Sequence, residues 1–162
     1  MKKITILVCS TGKNVDLANT IEAEAKIAGF DTDILNLATL NLPLYTEEQE
    51  KLGIPELANN LSNKLIKADS LIVIAPEYNG SIPPCLNNAI AWISRTGDDW
   101  RSAFNAKPTL IATHSGGGGT HVLMAMRQQL SYIGANVLGR QIVTNSNKKL
   151  SLKSLNLCLE QL

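Results

Sequence analysis

Short apolar runs and helically spaced segments alternate five times along this chain, and that alternation leaves few architectures open. Lys3–Cys9, Phe30–Leu37, Ser70–Ala75, Pro108–Thr113 and Ala135–Val143 are apolar or alternating runs of strand length, bounded by turn residues. Between and after them lie segments with helical spacing: Asn14–Ala28 closed by Gly29, Pro55–Lys67, Leu86–Arg95, Thr120–Ile133 ending at Gly134, and Lys149–Gln161. Short connections between such elements favour right-handed crossovers. The pattern predicts an α/β fold, a doubly wound five-stranded parallel sheet of strand order 2-1-3-4-5 with helices on both faces. Phe30–Leu37 alternates with acidic residues, as an edge strand would, and Leu40–Gly53 reads as irregular. Without repeats or a linker, residues 1–162 are expected to form a single domain.

Composition narrows the function classes. Charged residues are 18% and apolar ones 44%, which excludes a disordered chain. A formal net charge of +1 offers no electrostatic case for a nucleic-acid or membrane partner. The basic and apolar start, Met1–Cys9, imitates a secretory signal, but its apolar part is too short and lacks a small-residue cleavage site, so it is read as a first strand. Cys9, Cys85 and Cys158 are odd in number and far apart in sequence, without C-x-x-C. They argue against a disulfide framework or a metal site, and for the cytoplasm as the expected location.

The strand ends carry the chemistry. In this strand order the ligand crevice lies between the first and third strands, outside their carboxyl ends. After the first strand, Ser10-Thr11-Gly12-Lys13-Asn14 brings hydroxyls, an ammonium group and free N–H groups to a helix N-terminus, where a phosphate is stabilised. Ser10 or Asn14 could equally serve only to cap that helix. The loop is not a P-loop, because Leu7 stands where its first glycine belongs. After the third strand comes Pro76-Glu77-Tyr78-Asn79-Gly80, a stiff polar ledge suited to a flat hydrogen-bonding ring. After the fourth, Ser115 and Gly116–Gly119 let backbone approach a ligand closely. This loop fits neither a dinucleotide fingerprint nor a nucleophile elbow, and His114 or His121 beside Ser115 makes a poor case for a hydrolase. Together the three loops describe a mononucleotide site, with a phosphate at the first helix and a planar ring between the other two.

The run Pro76-Glu77-Tyr78-Asn79-Gly80-Ser81-Ile82-Pro83, followed by Leu86-x-Asn88-Ala89-Ile90-x-Trp92-x-Ser94-Arg95, resembles the signature of the NADPH-dependent FMN reductase family. These are flavodoxin-like proteins that include quinone, azo-dye and chromate reductases. The resemblance runs from about Lys3 to Val143 and implies FMN as cofactor and NADPH or NADH as reductant. It places the FMN phosphate on Ser10, Thr11, Gly12, Lys13 and Asn14. The flavin ring falls on Pro76, Glu77, Tyr78 and Asn79, and on Ser115, Gly116 and Gly117. No side-chain acid or base and no metal is required, because the flavin itself takes and gives the hydride. The implied acceptor is a small molecule such as a flavin or quinone. The implied assembly is a homodimer or homotetramer, with Tyr78 and Trp92 on its contact face. A flavodoxin-type electron carrier and a flavin-binding sensor without turnover remain the alternatives. The sequence departs from the family's Gly-Ser-x-Arg with Cys9-Ser10-Thr11-Gly12, leaving Lys13 as the nearest cation, a point charge without arginine's fork. Asn87 replaces a lysine, Ala91 an aspartate, and Pro84 a glycine.

Overall fold

A computed structural model describes residues 1–162. Six strands form one parallel sheet: β1 (Lys3–Val8), β2 (Asp31–Asn36), β3 (Ser70–Ile74), β4 (Pro108–His114), β5 (Asn136–Val137) and β6 (Ile142–Thr144). Their order is β2-β1-β3-β4-β5, with β6 also on β4, so the expected topology is present. β2 lies at the edge that its acidic alternation indicated.

The fifth strand differs from expectation. Instead of one run over 135–143, the chain pairs with the start of β4, leaves it, and returns as β6 beside Ala112–His114. The register slips by two residues between the two pairings, and the extra length bulges out around Gly139, where a glycine tolerates the bend.

The helices are α1 (Lys13–Ile27), α2 (Glu47–Lys51), α3 (Glu56–Ile66), α4 (Pro84–Ile93), α5 (Thr120–Tyr132) and α6 (Leu152–Leu159). Strand periodicity divides the core in two. Ile4, Ile6, Val8, Ile72, Ile74, Leu110 and Ala112 face α1 and α6, which contribute Leu17, Ile21, Leu155 and Leu159. Leu7, Cys9, Leu71, Val73, Ala75 and Ile111 face α3, α4 and α5. No helix is long and apolar enough to cross a membrane.

α2 lies inside the stretch that reads as irregular. Thr46 caps it by accepting from Gln49 N at 3.1 Å, but it buries no residue, so no apolar stripe announces it. Pro55 sits one position before α3 rather than inside it, and α6 begins only after Ser151, its N-cap.

One expectation is corrected here. Trp92 contributes no contact face: it is fully buried, its Nε1 donates to Pro43 O at 2.7 Å, and Tyr45 meets it edge-on at 5.2 Å. Asn88 on the same helix donates to Pro43 O and accepts from Tyr45 N. The polar face of α4 thus fastens the 40–53 segment to the body, because a buried indole N–H needs an acceptor and Pro43 supplies one. Tyr78, by contrast, is 53% exposed.

Candidate functional site

Three loops leave the sheet at one level. Cys9 N donates to Ile74 O and Ala75 N to Ala112 O, so the ends of β1, β3 and β4 are aligned in adjacent positions. Thr113 Oγ1 adds a buried bond to Ala75 O at 2.7 Å.

The loop after β3 owes its shape to two residues. Tyr78 and Ser81 exchange both backbone hydrogen bonds at 3.0 Å, while Asn79 (φ 49°) and Gly80 (φ 75°) turn the chain between them. Positive φ at both central positions defines the tight hairpin turn for which Asn-Gly is the preferred pair. The Tyr78 ring and the Asn79 carboxamide therefore project from a fixed turn. Glu77 reaches across to the end of the loop after β4, where its Oε2 accepts from Val122 N in the first turn of α5 at 3.2 Å. That carboxylate satisfies a helix N-terminus and ties the two loops together.

In the loop after β4, Gly119 is left-handed (φ 65°), and a Cβ there would lie 2.6 Å from Thr113 Cγ2. Only glycine fits. Gly116 and Gly117 are different, with nothing within 4 Å of an added Cβ, so their backbone faces open space. Ser115 is nearly buried and its Oγ accepts from Gly117 N at 3.3 Å.

The loop after β1 is held from both sides. Ser10 Oγ accepts from Gly12 N, and Ser10 O accepts from the Asn36 carboxamide. Asn14 is buried and pairs both ways with the backbone of His114, donating to its O at 3.0 Å and accepting from its N at 2.7 Å. The amide of Asn14 is thus a strut between α1 and β4, and no side chain caps α1. Lys13 Nζ lies 3.3 Å from Asp16 on the exposed surface. The structure also brings in two residues that the sequence reading passed over. Lys148 and Lys149 line a crevice of about 240 Å³ with Lys13, His114 and Asn145, beside the first loop. The Lys-Lys pair is visible in sequence, but its neighbours depend on where the bulged fifth strand delivers the chain.

This donor set fits a phosphorylated planar ligand. The backbone N–H groups of Thr11, Lys13 and Asn14 donate to no protein acceptor, and neither do those of Glu77 and Gly116. The first three meet at a helix N-terminus beside lysines, and the last two flank the ring ledge. A cavity of about 420 Å³ lies far from this, at the opposite end of the strands between Lys2, Phe30 and Leu162. The site is open where Tyr78 is exposed and where nothing lies within 4 Å of a Cβ added at Gly116 or Gly117.

Ten of the twelve expected residues lie on these three loops, Ser10–Gly12, Pro76–Asn79 and Ser115–Gly117, and the other two, Lys13 and Asn14, open α1. Cys9 and Cys85, distant in sequence, also meet here. Cys85 Sγ lies 3.8 Å from Cys9 O at the start of α4. No group of three or more His, Cys, Asp or Glu side chains is placed to hold a metal.

The model of the family described as NADPH-dependent FMN reductase matches residues 2–149. The quinone reductase of Escherichia coli (strain K12) is 34% identical over 119 residues, covering 71% of this chain and 62% of that protein. The chain thus matches about three-fifths of that relative's length. Among solved structures, the flavoenzyme FerB, an NAD(P)H:(acceptor) oxidoreductase of Paracoccus denitrificans, superposes with a TM-score of 0.73 at 23% identity, over 86% of this chain and 76% of FerB. An archaeal flavodoxin superposes with a TM-score of 0.62 at 12% identity, over 99% of this chain and 93% of its own. These two likenesses establish the flavodoxin-like fold.

Proposed function

Because the chain belongs to the NADPH-dependent FMN reductase family, we propose that it is an FMN-dependent NAD(P)H oxidoreductase passing electrons to a small acceptor of the quinone or flavin class. The observation that carries this reading is the convergence of three loops with unpaired N–H groups at one end of the sheet. Thr11–Asn14 would hold the FMN phosphate through backbone N–H groups and the positive end of α1, with Lys13, Lys148 and Lys149 raising the local potential. Tyr78 and Asn79 would hold one edge of the ring, and Ser115–Gly117 the other. When bound, FMN supplies the two-electron chemistry between nicotinamide and acceptor.

The protein's own part is to place donors before charge develops. The N–H groups of Glu77 and Gly116 stand ready for the polar edge of the ring, and fixed donors stabilise negative charge there without reorganising. Glu77 is itself engaged on Val122, so its role is to hold the two loops at a constant spacing. Exposed Tyr78 and the open space at Gly116 and Gly117 suit alternating visits by nicotinamide and a flat acceptor. A homodimer or homotetramer in the cytoplasm belongs to the same proposal, with exposed Tyr78 at its contact face.

The test is direct. Purified protein reconstituted with FMN should be yellow, bleach under anaerobic NADPH or NADH, and recover its colour on addition of a benzoquinone. Bound flavin that nicotinamide leaves oxidised would replace the enzyme with an electron carrier. Failure to retain FMN would overturn the site assignment as well.

A further inference from the structure

We propose that Cys85 and Cys9 form an oxidisable dithiol, in which Cys85 reacts with a hydroperoxide and Cys9 resolves it to a disulfide. The pair is built by the fold. Cys9 ends the β1 run and is buried, and Cys85 is the second residue of α4 and half-buried. Seventy-six positions separate them in sequence, yet Cys85 Sγ reaches the backbone of Cys9, donating to its carbonyl oxygen at 3.8 Å. Cys85 also borders a crevice of about 290 Å³ formed with Leu37, Leu42, Leu44, Pro84 and Asn88, large enough to admit a small peroxide.

The two sulfurs are chemically unequal. The Cys9 thiol beside it lowers Cys85 to about 7, against the effect of its burial, with help from the backbone at Leu86 and Cys85. The neighbouring Cys85 side chain, together with burial, pushes Cys9 well above the ordinary thiol range. Cys85 therefore gives up its proton first and Cys9 keeps one. A partly exposed thiolate at a helix N-terminus, next to a second thiol, is the arrangement that oxidation selects.

The electrons balance in two steps. The Cys85 thiolate attacks one peroxide oxygen, an S–O bond forms as the O–O bond breaks, and an alcohol or water leaves after taking a proton. Cys85 is then a sulfenic acid, oxidised by two electrons. Cys9 sulfur attacks Cys85 sulfur, the S–S bond replaces S–O, and hydroxide departs with the Cys9 proton as water. The product would staple the end of β1, which leads into Ser10–Asn14, to the start of α4, which follows the ring ledge.

The experiment treats the flavin-loaded protein with a small excess of hydrogen peroxide, blocks the remaining thiols and maps them by peptide mass. The expected result is a Cys9–Cys85 cross-linked peptide about 2 Da lighter than the two reduced peptides, reversed by dithiothreitol, with Cys158 still free. In C9S, a dimedone adduct should instead mark Cys85, and in C85S thiol loss should slow about tenfold or more. Oxidation of Cys158 with Cys85 left free, or of Cys85 straight to sulfinic acid in the unmutated protein, would overturn the proposal. The wild-type map gives that answer even if a variant fails to fold.

Discussion

The loops after β3 and β1, proposed as ring ledge and phosphate loop, end neighbouring strands of one sheet, yet they are held by opposite means. On the ledge and the loop after β4 that it is tied to, backbone conformation does the work: a two-residue turn at Asn79-Gly80, a left-handed Gly119 against Thr113, and Glu77 seated on the α5 terminus. In the phosphate loop, side chains do it: Ser10, Asn36 and Asn14 each anchor a backbone group, and the cations are exposed. Backbone-encoded shape tolerates few substitutions at a few positions. Side-chain struts can be exchanged one at a time, and this is the loop where the sequence departs from its family.

The sharpest way to break the contrast is Gly119→Ala. The added methyl meets Thr113 Cγ2 at 2.6 Å in a left-handed residue, so the variant should lose about 2–4 kcal/mol of folding stability in urea titration. Thr113→Ser in the same background should recover part of that loss while keeping the hydroxyl that bonds Ala75 O. If Gly119→Ala is neutral, the loop after β4 is not fixed by its backbone.

Asn14→Ala comes next. It leaves the His114 N–H and C=O without partners in a part-buried position, at a cost of about 2 kcal/mol. FMN affinity should fall with it, since the strut holds the first turn of α1. Asn14→Asp keeps the acceptor for His114 N but loses the donor to His114 O, and should fall between the two.

These two sites also show how far the sequence could be read. β1, β3 and β4 were legible because β-branched runs buried on both faces leave no other reading, and the loops after them followed from the strand order. The twelve proposed site positions came from that topology together with the resemblance. What stayed hidden depends on pairings across the fold. Asn14 could have been a cap or a ligand, and only the position of β4 makes it a strut. Trp92 was as compatible with a contact face as with a core, until Pro43 placed an acceptor above it. The Cys9–Cys85 contact spans half the chain, and no spacing rule reports it. Two local signals were present but unread: Asn79-Gly80 as a hairpin turn, and Thr46 with Gln49 as a cap for α2.

Glu77→Ala sharpens the comparison from the ledge side. Loss of the carboxylate on Val122 N should cost about 1 kcal/mol of stability and let the second and third loops drift apart. Flavin reduction should slow more than FMN affinity falls, because ring position matters more to hydride transfer than to retention. Glu77→Gln, which keeps an oxygen acceptor, should restore most of the rate. A variant that loses FMN altogether would make Glu77 a direct ligand rather than a spacer.

Lys13→Ala should have the smallest effect, and its size decides whether the phosphate loop relies on side-chain charge at all. Lys13 Nζ is exposed and shares Asp16, so its attraction to a dianion is screened, and a loss of roughly twofold to fivefold in FMN affinity is expected. Riboflavin, which lacks the phosphate, should bind the variant and the parent alike. Lys148 and Lys149 line the same crevice, so replacing all three with alanine should deepen the FMN loss and steepen neither ligand's dependence on salt. Instead the salt dependence of FMN should flatten, because fewer charges remain to be screened. If the triple variant binds FMN as well as the parent, the unpaired N–H groups of Thr11, Lys13 and Asn14 are sufficient by themselves. The phosphate loop would then be backbone-encoded like the ledge, and the contrast between the two regions would disappear.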